Sequence, residues 1–112
     1  MIQGTVRVHP DLVRYVAPED RLIIKLFYPG DGVEMAPKFT ILSKFTLPLK
    51  FRVSPTIDMS GRPKWKAYMV EVFTDKDRDV LSIVPGELIA RTADLVPLGT
   101  TGLVLELNAL RE

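Results

Sequence analysis

Three carboxylates stand at alternating positions, Asp75, Asp77 and Asp79. This spacing resembles the opening of a calcium-binding loop, in which alternate acids offer oxygen ligands to one ion. Such a loop also needs Gly at its sixth position and Glu at its twelfth, where this chain has Val80 and Gly86. The same acids fall where a hairpin needs a polar turn. The pattern therefore favours a solvated turn over a calcium site.

His9 is the only histidine, and the chain has no cysteine. His9 could be one axial haem ligand, with Met35, Met59 or Met69 as the second. No spacing supports that pairing, and methionine is more often a core filler. The absence of cysteine excludes disulfides, thiolate nucleophiles and cysteine-ligated metals. We therefore predict no metal and no cofactor.

Catalytic motifs are missing from the sequence. Ser43, Ser54, Ser60 and Ser82 lack a Gly-x-Ser-x-Gly setting, and no Walker loop or G-x-G-x-x-G is present. General acid–base catalysis needs a carboxylate or histidine held in a pocket. The acids here lie mostly in expected turns or at strand ends, so we predict that the protein is not an enzyme.

Charge is unevenly distributed although the net charge is only +1. Residues 38–66 contain one acid, Asp58, and seven cations, which are Lys38, Lys44, Lys50, Arg52, Arg62, Lys64 and Lys66. Such a block is either a solubilising surface or a basic face for an acidic partner or an anionic membrane. The candidate partner-binding residues are Lys50, Arg52, Lys64, Trp65 and Lys66.

Aromatic residues are interleaved with this basic block, as in single-strand nucleic-acid binders. The alternation, however, assigns Phe39, Phe45 and Phe51 to the core and leaves Trp65 as the aromatic residue that could be exposed. A nearly neutral chain is also a poor electrostatic match to nucleic acid. We therefore predict that nucleic acid is not a partner.

Apolar residues alternate with polar ones along most of the chain, which indicates β-strands. We predict an all-β, mostly antiparallel sandwich of about seven to eight strands, with one short helix after the first strand. Residues 21–28 are apolar on both faces, which favours a central strand. Pro48 cannot donate to a ladder, so the strand around it should lie at an edge or begin near Leu49.

Later strands are expected at 65–74, 80–83 and 86–93, and the last one follows Gly102. Tyr68, Val70 and Val72 should share one face of the first of these strands, and Leu103, Leu105 and Leu107 one face of the last. Gly86, Gly99 and Gly102 should bend the chain between them. We expect the 112 residues to form a single domain, 1–112, because no linker or repeat divides the sequence.

The order of these features resembles one family, the C-terminal β-domain of CcmI/CycH-type, TPR-containing cytochrome c biogenesis proteins. The similarity rests on turn glycines and strand alternations: Gly4-Thr5-Val6-Arg7-Val8, Pro10-Asp11-Leu12, Val16, Asp20-Arg21-Leu22-Ile23-Ile24, Met35-Ala36-Pro37, Leu47-Pro48-Leu49-Lys50-Phe51-Arg52-Val53, Met59, Val70-Glu71-Val72, Pro85-Gly86-Glu87-Leu88 and Gly99-x-x-Gly102-Leu103-Val104-Leu105.

The resemblance implies a non-enzymatic interaction module that contacts apocytochrome c or factors of the maturation machinery. It implies a periplasmic location, proximity to a membrane, and a place in a longer membrane-anchored protein, although this sequence contains neither the membrane helix nor the TPR region. A sheet edge could accept an extended peptide, and the edge without Pro48 is the better candidate. The alternative is a β-sandwich that holds a small or carbohydrate-like ligand through Trp65, Tyr68 or Tyr28.

Overall fold

The structure is a computed structural model that describes residues 1–57, 59–76 and 86–110. Within these ranges the chain forms a 3₁₀ helix, Pro10–Tyr15, and nine strands. The strands are β1 Ile2–Val8, β2 Arg21–Pro29, β3 Glu34–Leu42, β4 Leu49–Val53, β5 Ala67–Asp75, β6 Leu88–Arg91, β7 Val96–Pro97, β8 Leu103–Leu107 and β9 Ala109–Leu110. The strand expected at 80–83 and the acids Asp77 and Asp79 lie outside the described residues.

The strands form two sheets. One has three strands in the order β4-β1-β8, in which β1 is antiparallel to β4 and parallel to β8. The other has six strands and runs β3-β2-β5-β6-β9, with β7 also pairing with β5. All pairs in this second sheet are antiparallel. The predicted all-β, mostly antiparallel sandwich architecture is therefore confirmed.

The core lies between the two sheets and follows the period-2 pattern of the sequence. On β1, Ile2 and Val6 are fully buried, and on β8 Leu107 is fully buried beside them. The opposing sheet contributes alternate residues of β2 and β5, which are Leu22, Ile24, Leu26, Tyr68, Val70 and Val72. Burial of this apolar surface is the main favourable term in folding the sandwich.

Several sequence predictions about single elements are confirmed. The short helix begins at Pro10, where the missing N–H costs nothing, and the His9 Nδ1 atom accepts a hydrogen bond of 3.1 Å from the Asp11 N–H. Strand β2 is central, between β3 and β5. Strand β4 lies at a sheet edge and begins at Leu49, so Pro48 stands outside the ladder.

Strand β3 differs from the sequence prediction, which is a strand at 37–45 with Phe39 and Ile41 on one face. It begins at Glu34, and Leu42 packs against the core, so Phe39 and Ile41 lie on the opposite, outer face. Phe39 is half-buried there, and Ile41 is 46% exposed. The expected core position of Phe39 is therefore wrong. Leu42 pairs with the buried Leu22, so the residues of β3 that face the core are the even-numbered ones.

The two sides of the sandwich differ. On one side β8 continues through Asn108 into β9, so the chain passes from the small sheet to the large one. On the other side β3 and β4 are the terminal strands of their sheets. Gly99 (φ 92°) and Gly102 (φ 77°) adopt the left-handed backbone that turns the chain into β8, as predicted. No helix within the described ranges has the length and apolar character to cross a membrane.

Candidate functional site

The predicted partner-binding residues lie on two different elements. Lys50 and Arg52 are exposed on β4, where the alternation points their side chains away from the buried Phe51. Lys64, Trp65 and Lys66 lie just before β5. Within the described residues no hydrogen bond, ion pair or ring contact joins the first pair to the second group. The sequence block is therefore divided between two places in the fold.

Trp65 packs inside a small aromatic cluster. Its ring stacks on Tyr28 with centroids 4.4 Å apart and an angle of 4°, and it meets Tyr68 edge-on at 5.9 Å. The Lys64 ammonium lies 5.0 Å from the centroid of the Trp65 ring. Tyr68 is 1% exposed, and Trp65 is half-buried against the core. These contacts already occupy the aromatic surface that a bound sugar ring would need.

An apolar pocket opens at the opposite end of the strands. Its volume is about 300 Å³, and its lining comes from the end of β1, the 3₁₀ helix and the segment between β3 and β4. Val13, in the helix, is 56% exposed although it is a large apolar residue. The lining residues are Val8, Val13, Val16, Phe45, Thr46 and Leu47. This volume matches the lower range of small-ligand pockets and can accept one apolar side chain.

Two cations are neighbours in sequence of residues that line this pocket. Lys44 precedes the lining residue Phe45, and Arg14 follows Val13. The Arg14 guanidinium donates to the Tyr15 hydroxyl at 3.4 Å, and this hydrogen bond raises the pKa of Arg14 above its usual value.

Buried acids at this end have structural partners. Asp20 is 3% exposed, and its carboxylate accepts from the Lys76 ammonium at 2.8 Å and from the Ala17 N–H at 2.9 Å. The same ammonium donates to the Tyr15 carbonyl at 2.8 Å. Lys76 thus fastens the segment after the 3₁₀ helix to the end of β5. Asp75, which is also buried, pairs with Arg21.

A second ion network covers Phe27 on the outer face of the large sheet. Lys25 and Arg91 lie 4.9 Å and 5.0 Å from the centroid of this ring. Both cations bind Glu71, at 3.4 Å and 2.9 Å, and both bind Glu34, at 2.7 Å and 2.9 Å. The two cations and two acids neutralise one another, so this network has no net charge with which to bind a charged ligand.

The part of the chain that the structure describes contains no group of three or more His, Asp or Glu side chains placed to hold a metal ion. The haem-ligand candidates are also dispersed. His9 lies at the pocket end beside the 3₁₀ helix, whereas Met59, 107% exposed, lies in the loop between β4 and β5. The prediction of no metal and no cofactor stays a prediction.

The pocket residues were missed by sequence reasoning. The sequence pattern places Val8 and Leu47 on two different strands and Val16 at the end of the short helix, so it does not indicate that the three lie together. The sequence signal that was available is Val13, an apolar residue in a helix too short to bury a complete face. Phe45 was expected in the core, and it packs against the core while also lining the pocket.

Comparison with known proteins gives one informative likeness. The chain matches no family model and no curated protein sequence. Among solved structures it is similar to an alternative pilotin from the type II secretion system of Vibrio cholerae, with 14% identity and a TM-score of 0.60. The match covers 99% of this chain and 96% of the pilotin chain. At this identity the likeness shows the fold alone.

Proposed function

We propose that this chain is a non-enzymatic protein-interaction module. The observation that supports it is the apolar pocket beside the unpaired edge of β4, since edges and pockets of this kind bind extended segments of partner proteins. The resemblance of the sequence to CcmI/CycH-type proteins suggests apocytochrome c or a maturation factor as the partner. It also suggests a periplasmic location close to a membrane.

A second candidate function is a pilotin-like role in a type II secretion system. It is favoured by the fold likeness to the alternative pilotin, which extends over nearly the whole of both chains. Both candidates are binding functions, and they differ in the partner. The small-ligand alternative through Trp65 gains no support from a ring that is already stacked on Tyr28.

The partner can be identified by site-specific photo-crosslinking in cells that mature c-type cytochromes. Benzoylphenylalanine is placed at Thr46, which lines the pocket, and in a matched strain at Ile57, which is 61% exposed in the loop between β4 and β5. We expect crosslinks to apocytochrome c or a maturation factor from Thr46 and not from Ile57. Crosslinks to type II secretion components would support the second candidate, and equal crosslinking from both positions would contradict a binding site at the pocket.

A further inference from the structure

The free edge of β4 has a defined set of backbone groups. In a strand the N–H and C=O of one residue point to the same side, and the side alternates along the chain. Gln3 and His9 of the β1 segment donate toward Thr100 and Leu107, on the β8 side. The even-numbered residues of β1 therefore face β4. Through the register Gly4↔Phe51, the residues of β4 that face away from β1 are Lys50 and Arg52.

The side chains of Lys50 and Arg52 lack an acidic partner within the described ranges. Glu106, an acid on the outer face of this sheet, is bound by Arg7 at 3.2 Å. Lys44, between β3 and β4, is likewise exposed and forms no described ion pair. Lys50 and Arg52, exposed on β4, form what we call the basic strip. It places two cations along one edge of the small sheet.

The apolar pocket lies at the start of this strip. Leu47 lines the pocket and lies three positions before Lys50, across the bend at Leu47 and Pro48 that precedes β4. Pro48, between them, has no N–H to offer on the free edge. The sequence favoured the other edge because of Pro48, but β4 begins at Leu49, after this proline, so backbone pairing along the β4 edge can begin at Lys50. The pocket is reached just before the paired segment.

We propose that the β4 edge binds an extended acidic segment of a partner protein, which adds a strand beside β4 and inserts one apolar side chain into the pocket. This inference rests on the proposed function and specifies its partner. Lys50 and Arg52 are two residues apart on one face, so the segment presents acids at alternating positions. Its apolar anchor lies about three residues from the nearest acid, since Leu47 lies three positions before Lys50 along the chain.

Short synthetic peptides test this geometry. In each peptide, aspartate alternates with threonine and valine, and one leucine lies three residues from the nearest aspartate. The leucine is on the N-terminal side of the aspartates in one peptide and on the C-terminal side in the other. The two versions cover parallel and antiparallel addition to β4. We expect one of them to bind in a fluorescence anisotropy titration, with affinity that falls as salt is raised. Control peptides replace aspartate by lysine or leucine by serine, and both should bind more weakly.

Three pairs of variants locate the bound peptide. Val13→Asp should weaken binding about tenfold or more, because it places a charge in the anchor pocket, whereas Ile57→Asp, of similar exposure, should leave it unchanged. Lys50→Glu with Arg52→Glu should weaken binding roughly fivefold to tenfold, while the charge-matched Lys64→Glu with Lys66→Glu should not. Lys50→Pro should bind about fivefold more weakly than Lys50→Ala, because it also removes the free N–H.

The changed side chains are solvent-exposed, or half-exposed in the case of Val13, and a circular dichroism spectrum of each variant verifies that it folds. Equal weakening by each variant and its control would overturn the proposed site. Failure of both peptides, with apocytochrome c or a maturation factor still crosslinked from another surface, would overturn the acidic segment and leave the proposed function standing. Failure of both the peptides and the crosslinking experiment would overturn the two proposals together.

Discussion

Among the glycines, Gly4 has the least space for an added Cβ atom. It lies on β1 between Phe51 of β4 and Leu103 of β8. A Cβ atom there would lie 2.3 Å from the Leu103 carbonyl oxygen and 2.9 Å from both the Leu103 Cβ and the Phe51 Cζ. One of these contacts is with backbone, so a rotamer change cannot relieve it. The close approach of β1 to its neighbours β4 and β8 therefore depends on glycine at this position.

We predict that Gly4→Ala lowers the free energy of unfolding by about 3 kcal/mol, because the added methyl group must push β1 and β8 apart. Urea denaturation followed by circular dichroism measures the change. Thr5→Ala, the next residue and on the outer face, is the control and should change the free energy by less than about 1 kcal/mol. A Gly4→Ala protein as stable as the parent would show that the two strands can separate without cost.

Single residues show which features of the candidate site could be predicted from the sequence and which could not. The types of Lys50 and Arg52, and their exposure, follow from strand alternation. The grouping of Val8, Val13 and Leu47 does not, because three separate elements bring them together. Trp65 was expected to be available to a ligand, yet the fold stacks it on Tyr28, a partner more than thirty residues away. Alternation determines the face on which a side chain lies, and tertiary packing determines its neighbours.

At the scale of elements, the segment after the 3₁₀ helix is held by one cation. The Lys76 ammonium binds the buried Asp20 carboxylate and the Tyr15 carbonyl, each at 2.8 Å. A buried carboxylate that loses its cation keeps the cost of its desolvation. This bond therefore fastens the helix, and with it one wall of the pocket, to β5.

We predict that Lys76→Met lowers the free energy of unfolding by about 2 kcal/mol, since it leaves the Asp20 carboxylate without its ion-pair partner. Thermal and urea unfolding monitored by circular dichroism provide the measurement. Lys66→Met serves as the matched control, because Lys66 is exposed and forms no described ion pair, and it should be nearly neutral. Equal effects of the two substitutions would mean that Asp20 is adequately solvated without Lys76.

The elements themselves were largely predictable. The sequence pattern predicts β1, the short helix, central β2, edge strand β4 and the inward face of β5, because each has a clear period or a proline that restricts it. It does not predict that β8 pairs parallel with β1, since pairing between distant strands depends on how the whole chain packs. It also assigns β3 to the wrong face, because Phe39 and Ile41 are apolar yet lie outward.

At the scale of the whole molecule, the two candidate binding regions lie at opposite ends of the strands. The Cα envelope measures 43 × 27 × 24 Å. Tyr28, near the end of β2, stacks on Trp65, whereas the pocket lies near the start of β2, beside Val16 and Leu47. Trp65 is the single tryptophan, so its emission reports on one end of the protein alone.

We predict that the acidic peptide binds without changing the emission maximum of Trp65, because the pocket and the basic strip do not touch the aromatic cluster. Binding of a ligand on Trp65 and Tyr28 would shift the emission or quench it, since the stacked rings would have to separate. Titration of the peptide, with anisotropy and tryptophan emission recorded on the same samples, separates the two cases. The fully unfolded protein in urea provides the reference for an unstacked Trp65. If the peptide still shifts the Trp65 emission maximum of the Val13→Asp variant, it binds at the aromatic end and not in the pocket.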